Sequence, residues 1–149
     1  MQIDAGASAP LVVLRDAAQA TLDRFVDVPF AWGKADCGKM LAFHLRQLGH
    51  ELRLAKLGSY KTAIGATRAL RRMGVASLAE ALDQRYPRIA PAEAIVGDVI
   101  SLPSTGKLDA IGICVGNGRA LAFHESVAGA VVVDPLEVLA SWRVYGGLW

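Results

Sequence analysis

The chain has 149 residues, of which 53% are hydrophobic and 20% are charged, and its formal net charge is +2. These values exclude a disordered chain and predict one domain, residues 1–149, with a buried core. No apolar run approaches the roughly 20 residues that a membrane-spanning helix needs, so we expect no membrane span. The two cysteines form no disulfide framework and the three histidines lack zinc-ligand spacing. We therefore expect neither a metal nor another cofactor.

The charge is unevenly distributed along the chain. Between Cys37 and Ala79, eight basic residues accompany a single acidic one, Glu51. Two interpretations stay open: this half of the chain faces an acidic partner, or its helices present a solvated basic face. No nucleic-acid-binding motif accompanies the basic residues, so we expect no nucleic-acid partner.

The first half of the chain is predicted to be helical, because its apolar residues recur at helical spacing. Pro29 ends the first helix, and Gly49 suits the end of the second. Ser59 is a candidate N-cap of the third, and Ser77 with Glu80 forms a capping-box pattern at the start of the fourth. The predicted helices are residues 9–28, 37–49, 59–73 and 77–86.

After Val96 the apolar pattern changes to that of short strands, and residues 116–118 ("GNG") predict a hairpin turn. Residues 87–94 are expected to be irregular and solvent-facing, and residues 135–140 to form one helical turn. The predicted strands are residues 97–102, 109–116, 119–124, 130–134 and 142–146. Helices followed by a mostly antiparallel sheet predict an α+β fold, with the N-terminal helices packed on the sheet.

Cys37 is a candidate nucleophile in the stretch "PFAWGKADCGKM", residues 29–40. Asp36 is a good N-cap, which places Cys37 at the first helical position, where free backbone N–H groups and the helix dipole favour a thiolate or an oxyanion. Gly33 and Gly38 remove side-chain bulk near the sulfur. The alternative is that Cys37 simply begins a buried helix. Cys114, in the middle of a strand, is expected to be an inert core thiol.

A nucleophilic thiolate needs an imidazole as proton acceptor. His44 lies about 10 Å from Cys37 along the helix axis, so we expect it to be a packed helix residue. His50 lies beyond the helix end. A three-residue hairpin loop would place His124 opposite Ala110 on the same sheet face, whereas a two-residue loop would shift the register by one. His124 is thus either the candidate base or a strand-end histidine satisfied by water.

The stretch "PFAWGKADCGKM" resembles the nucleophile region of NlpC-type cell-wall peptidases, where an aromatic residue, Trp-Gly and Asp-Cys lead into the central helix. "GDVI" and "AIGICVGNG", which begin at Gly97 and Ala110, resemble the first core strand and the following hairpin of that family. The resemblance covers roughly residues 25–124. The closing "VVVDPLEVLASWRV" also resembles a smaller set of uncharacterised NlpC-related proteins of tailed phages and prophages.

The resemblance implies a papain-like fold in which Cys37 attacks amide bonds of peptidoglycan stem peptides. It also implies cleft and oxyanion positions in the nucleophile loop, which are Phe30, Trp32, Asp36 and Gly38. The sequence departs from the family at three positions. Ala110 stands where active members have the catalytic histidine, Phe30 where a tyrosine is usual, and Lys34 where a second glycine is usual.

Two hypotheses follow from the resemblance. In the first, the protein is a structural or adaptor subunit of a phage tail tip whose peptidase site is degenerate. In the second, it is an active cysteine amidase or endopeptidase acting on peptidoglycan during DNA entry, with His124 as a displaced base and Asp109 orienting it. The expected partners are other tail-tip proteins and, for the second hypothesis, peptidoglycan. The N-terminal residues lack the pattern of a signal peptide, so we expect the protein in the virion, or in the host cytoplasm during assembly.

Overall fold

Four α-helices precede the sheet in a computed structural model that describes residues 9–50, 60–104, 108–124 and 129–145. They confirm the helical first half predicted from apolar spacing. The helices are α1 (Pro10–Phe25), α2 (Cys37–Gln47), α3 (Ala63–Arg72) and α4 (Leu78–Asp83).

Three helix boundaries differ from those predicted. Helix α1 ends at Phe25, before it reaches Val28 and Pro29, since Val26 bridges to Ala130 and Asp27 has φ +60°. The N-cap of α3 is Thr62, whose hydroxyl accepts a hydrogen bond from the Gly65 N–H at 3.0 Å, and the predicted cap Ser59 lies outside the described residues. Helix α4 has the expected Ser77 cap, at 3.0 Å from the Glu80 N–H, but it ends at Asp83 and does not reach Tyr86. Pro87 follows Tyr86 and disfavours the α conformation there, so the last predicted turn is lost.

The second half of the described chain forms one sheet in which every pair of neighbouring strands is antiparallel. This confirms the mixed helix and antiparallel-sheet architecture. The strand order across the sheet is β1-β6-β2-β3-β4-β5. The strands are β1 (Arg88–Ile89), β2 (Val99–Leu102), β3 (Ala110–Gly116), β4 (Arg119–His124), β5 (Gly129–Val133) and β6 (Ala140–Trp142).

Two predictions for the connecting segments are wrong. Residues 87–94 are mostly exposed to solvent, as predicted, but they are not irregular, because they contain β1 and a short 3-10 helix, Pro91–Glu93. Residues 135–140 contain no helical turn. Instead the Leu139 N–H bonds the Ser101 carbonyl at 2.8 Å, and β6 begins at Ala140, two residues earlier than predicted. Strand β6 pairs with both β1 and β2, and this tertiary pairing outweighs the local helical pattern.

The hairpin between β3 and β4 has a two-residue turn, not the predicted three-residue loop. Gly116 pairs with Arg119, and Asn117 and Gly118 both have positive φ, as a type I′ turn requires. A bulge between Cys114 and Gly116 supplies one extra residue, so that Ile113 pairs with Leu121. The Ile113–Leu121 pair has the predicted register, but the β3–β4 ladder extends no further toward Ala110, so the placement of Ala110 opposite His124 stays a prediction.

Helices α1 and α2 pack on β3 and form the main core. Large side chains with no exposed surface, such as Met40, Leu41 and Ile111, fill it. Trp142 is also fully buried, and its indole N–H donates to Asp83 at 2.8 Å. Cys114 belongs to a separate small cluster, and burial raises the pKa of its thiol to about 12, as expected for an inert core thiol. None of the described helices is long and apolar enough to cross a membrane.

The "GDVI" segment is fixed by a glycine and a buried ion pair. Gly97 has φ +88°, and an added Cβ would lie 2.6 Å from the Leu14 side chain, so only glycine fits. Asp98 is fully buried and accepts hydrogen bonds from the Arg143 guanidinium at 3.1 and 3.0 Å and from the Ile95 N–H at 2.8 Å. The first core strand is thereby joined to the Trp-Arg segment near the end of the chain.

We predict that Arg143→Met lowers the free energy of unfolding by about 3 kcal/mol, because it leaves the buried Asp98 carboxylate without its counter-charge. Urea unfolding followed by circular dichroism measures this change. The matched control is Arg15→Met, which removes an exposed ion pair to Asp16 and should change stability by about 1 kcal/mol or less. Equal effects of the two substitutions would contradict this role of the Asp98–Arg143 pair.

Candidate active site

The loop before α2 takes its shape from Gly33. Gly33 has φ +78°, and an added Cβ would clash with the carbonyl oxygen of Tyr60. Ala31 and Ala35 form a small antiparallel bridge that closes the loop, and Lys34 at its tip is exposed. The glycine of the Trp-Gly pair is therefore required by the close approach of another backbone segment. Lys34 is tolerated at the next position because its side chain faces solvent.

Asp36 holds the loop, the helix start and Tyr60 together. Its fully buried carboxylate accepts hydrogen bonds from the Lys39 N–H at 2.9 Å and from the Gly33 N–H at 2.8 Å, which confirms the predicted N-cap. It also accepts the Tyr60 hydroxyl, and burial together with this carboxylate raises the pKa of Tyr60. Tyr60 stays protonated and acts as a donor. No motif in the sequence indicated Tyr60, because it lies 23 residues after Cys37.

Cys37 is the first residue of α2 and is only 8% exposed. Its thiol faces one end of the β3–β4 pair, where the backbone N–H groups of Ile111 and Phe123 hydrogen-bond to it. The pKa of the Cys37 thiol is raised to about 11, mainly by burial. The hydrogen bond from the Ile111 N–H lowers this pKa, but by less than burial raises it. The carboxylates of Asp36 and Asp109 raise it further, and the Phe123 N–H lowers it.

This environment corrects the expectation that the start of the helix makes Cys37 a thiolate. The helix dipole favours an anion by about 0.3–1 kcal/mol at an ordinary site. A pKa of about 11, against 9.0 for an ordinary thiol, opposes the anion by roughly 3 kcal/mol. Burial and two neighbouring carboxylates thus outweigh the dipole and the two amide hydrogen bonds. The sulfur is a protonated thiol near neutral pH.

Asp109 directly precedes β3 in the chain, and its carboxylate lies against the start of α4. Its two carboxylate oxygens accept hydrogen bonds from the Leu78 N–H at 3.1 Å and the Ala79 N–H at 2.8 Å. These are backbone donors of the first turn of α4, so Asp109 acts as a second cap beside Ser77. Asp109 also raises the pKa of the Cys37 thiol. The next residue, Ala110, begins β3 and pairs with Leu102 in β2, so a methyl group occupies the position at which the resemblance implies a histidine.

His124 is the last residue of β4, and its backbone pairs with Gly129 in β5. It directly follows Phe123, whose N–H bonds the Cys37 thiol. The His124 side chain lies outside what the structure describes, so its role as the displaced base stays a prediction.

The predicted cleft residues Phe30 and Trp32, which belong to the loop before α2, take part in a chain of aromatic contacts. Their rings meet edge to face at 4.7 Å, and Trp32 contacts Tyr60 while Phe30 contacts Phe123. Phe30 is 42% exposed, unusually high for a large apolar side chain. Gly38 is buried at the second position of α2. The two aromatic residues thus pack the loop against Tyr60 and Phe123.

His44 is held in the interior of the protein, away from acid–base chemistry. Its ring is fully buried, with Nε2 at 2.7 Å from the Gly97 carbonyl oxygen and Nδ1 at 3.0 Å from the Thr21 hydroxyl. Burial lowers the pKa of His44 to about 4, although the Gly97 carbonyl raises it. A neutral ring that donates from Nε2 links α2, α1 and the "GDVI" segment. This confirms the expectation of a packed helix residue.

The described residues contain no group of three or more histidine, cysteine or acidic side chains arranged to hold a metal ion.

We predict that His44 makes the protein acid-sensitive. The unfolded chain takes up this proton near pH 6.5 and the folded chain only near pH 4. The unfolded state therefore binds more protons between these values, and stability falls as the pH is lowered through this window by roughly 3 kcal/mol in total. Urea unfolding at pH 7, 5.5 and 4 should show a smaller loss for His44→Gln than for the wild type. Parallel losses in the two proteins would contradict the prediction.

The comparisons with known proteins concern the family and the fold. No curated protein matches the chain. NlpC2 from Trichomonas vaginalis is a solved structure with a TM-score of 0.59 and 13% sequence identity, and the match covers 95% of this chain and 49% of that one. The chain therefore spans about half the length of that protein, and at this identity the likeness concerns the fold alone. A family model described as a domain of unknown function, DUF6950, matches residues 13–144, and the chain belongs to this family.

Proposed function

We propose that this protein is a structural or adaptor subunit of a phage or prophage tail tip, built on a papain-like, NlpC-type fold whose cysteine-peptidase site no longer works. The observation that best supports a loss of catalysis is the state of Cys37, which is a protonated thiol buried near two carboxylates. Neither the methyl group of Ala110 nor the buried ring of His44 can accept its proton.

The magnitudes favour an inactive site. With a pKa of about 11, only roughly 10⁻⁴ of the Cys37 thiol is ionised at pH 7. A missing general base removes a further factor of about 10²–10⁴ from acyl transfer. Asp109 is no substitute, because an unperturbed aspartate pKa of about 3.9 is poorly matched to a thiol, and both of its oxygens are engaged at α4.

The assignment to a tail tip rests on the resemblance of the closing segment, "VVVDPLEVLASWRV", to NlpC-related proteins of tailed phages and prophages. Arg143 of this segment pairs with the buried Asp98 of "GDVI", the segment that resembles the first core strand of NlpC-type peptidases. The closing segment is therefore part of the same folded unit as the NlpC-like strand. The partners we propose are other tail-tip proteins, met in the virion or in the host cytoplasm during assembly.

The second candidate function is an active peptidoglycan amidase or endopeptidase. One observation favours it: His124 follows Phe123, whose backbone N–H contacts the thiol. An imidazole that reached Cys37 from this strand end would supply the missing base, and the pair would then act as the nucleophile and the acid–base catalyst.

We predict that the wild-type protein releases no stem-peptide fragments from purified peptidoglycan sacculi, and that Cys37→Ala and His124→Gln give the same result. Loss of turbidity and chromatography of released fragments measure this, with a lysozyme digest as the positive control. Wild-type hydrolysis that both substitutions abolish would contradict the proposal and establish the second candidate function.

The tail-tip role is tested with particles produced by the strain that carries the gene. The protein should be present in purified tails by mass spectrometry, and Cys37→Ala should leave the plaque titre unchanged. Deletion of the gene should lower the titre because the tail tip is then incomplete. Absence of the protein from purified tails would overturn the structural role, and a lower titre for Cys37→Ala would indicate a catalytic one.

A further inference from the structure

The strap, which we define as residues 134–139, crosses the sheet on the face away from the helices. It links β5, at the edge of the sheet, with β6, which lies beyond β4, β3 and β2. Val138 of the strap packs against the small cluster that contains Ile100 and Cys114. Neighbouring residues of a strand point to opposite faces of a sheet, and Val99, next to Ile100, belongs to the main core under the helices. The strap and the helices therefore cover opposite faces of the sheet.

The strap exposes two leucine side chains next to acidic residues. Leu136 is fully exposed, and Leu139 is 55% exposed. Exposed apolar side chains that lie close together mark protein interaction sites. Asp134 and Glu137 lie on either side of Leu136 in the sequence. Asp134 forms an exposed ion pair with Arg119 at 3.4 Å, whereas Glu137 forms none with any described residue.

Helix α3 exposes the complementary combination, an apolar side chain among cations. Ile64, Arg68 and Arg71 follow the spacing i, i+4 and i+7, so they lie on one face of α3, and Arg72 lies beside them. Ile64 is 50% exposed, and the three arginines are exposed as well. None of these arginines forms an ion pair with a residue that the structure describes. The opposite face of α3 packs into the main core through Ala66, Ala69 and Leu70.

The charges of the two surfaces follow from a separation of charge along the sequence. Residues 120–142 contain three acidic residues and no lysine or arginine, whereas the stretch from Cys37 to Ala79 contains eight basic residues and one acidic one. Like charges on one helix face repel one another, and an acidic surface placed against them relieves this repulsion. Because the strap and α3 lie on opposite sides of the sheet, the two surfaces cannot meet within one chain. A second copy of the chain can bring them together.

We propose that copies of this protein associate head to tail, with the strap of one copy seated on the outer face of α3 of the next. Leu136 of one copy then covers Ile64 of its neighbour, and Glu137 lies among the neighbour's arginines. Because the two surfaces differ, the contact is heterologous, and each end of the assembly keeps a free surface on which it can grow. The inference does not rest on the tail-tip role or on the state of Cys37, because it concerns the purified protein alone.

Sedimentation velocity of the full chain over a concentration series tests the proposal. The wild type should associate beyond a dimer, and the association should weaken at high salt, because salt screens exposed charges. Two double variants each remove one apolar side chain and one charge, Leu136→Gln/Glu137→Gln on the strap and Ile64→Gln/Arg68→Gln on α3. Each should raise the dissociation constant at least about tenfold, because burial of a large apolar side chain alone contributes that much. All four side chains are exposed, and an unchanged melting temperature verifies the fold of each variant.

An equimolar mixture of the two variants gives the sharpest result. Each variant keeps the surface that the other has lost, so the mixture should form a 1:1 dimer that grows no further. Failure of the mixture to form this dimer would overturn the head-to-tail contact, as would a wild-type assembly that stops at a dimer. A wild type that stays monomeric at every concentration would overturn self-association and leave the two surfaces to other proteins.

The matched control is Leu11→Gln/Arg15→Gln on α1. It removes an apolar side chain that is 57% exposed and one exposed cation, so it changes the net charge by the same amount as the α3 variant. This control should associate like the wild type. Equal weakening by the control and the α3 variant would overturn the proposed surface in favour of nonspecific association. Association that strengthens at high salt would overturn the contribution of the charges.

Discussion

The docking of the α2 N-terminus against the end of the β3–β4 pair is the constraint on which the rest of the site depends. Asp36 caps the helix, holds the preceding loop through Gly33 and accepts the Tyr60 hydroxyl, so three segments of chain meet at one carboxylate. This arrangement drives the Cys37 side chain into the sheet, where backbone N–H groups are its donors. Because the start of α2 is buried against the sheet, the Cys37 sulfur has almost no contact with water.

The fold therefore places Cys37 at a helix start beside two amide donors, but the surroundings of its thiol favour the protonated form. A helix start and two amide donors would stabilise a thiolate in a solvated cleft. Here burial and two carboxylates act in the other direction. Each carboxylate has a structural task, since Asp36 caps α2 and Asp109 caps α4. Their negative charge next to the sulfur follows from helix capping, and no imidazolium offsets it within the described site.

The architecture was predictable because it follows from local rules. Apolar spacing gave the helices, and the caps Asp36 and Ser77 were correct because side-chain capping is a short-range interaction. The segment of residues 135–140 was mispredicted because pairing of β6 with two neighbours overrides its helical pattern. At the candidate site, the position of Cys37 at the start of a helix was predicted correctly from its loop, but the protonation state of its thiol was not. That state depends on Ile111, Phe123 and Asp109, which are distant in sequence, and on a degree of burial that no motif encodes.

The most direct test of this account is the pH dependence of Cys37 alkylation by iodoacetamide in a Cys114→Ala background, followed by mass spectrometry. The account predicts that the rate keeps rising up to about pH 11 and that at pH 8 it is roughly 10²-fold below that of a free cysteine, in proportion to the thiolate fraction. Alkylation in urea provides the exposed-thiol reference for the same chain. A rate that already levels off near pH 7 would show an activated thiolate and would contradict the account.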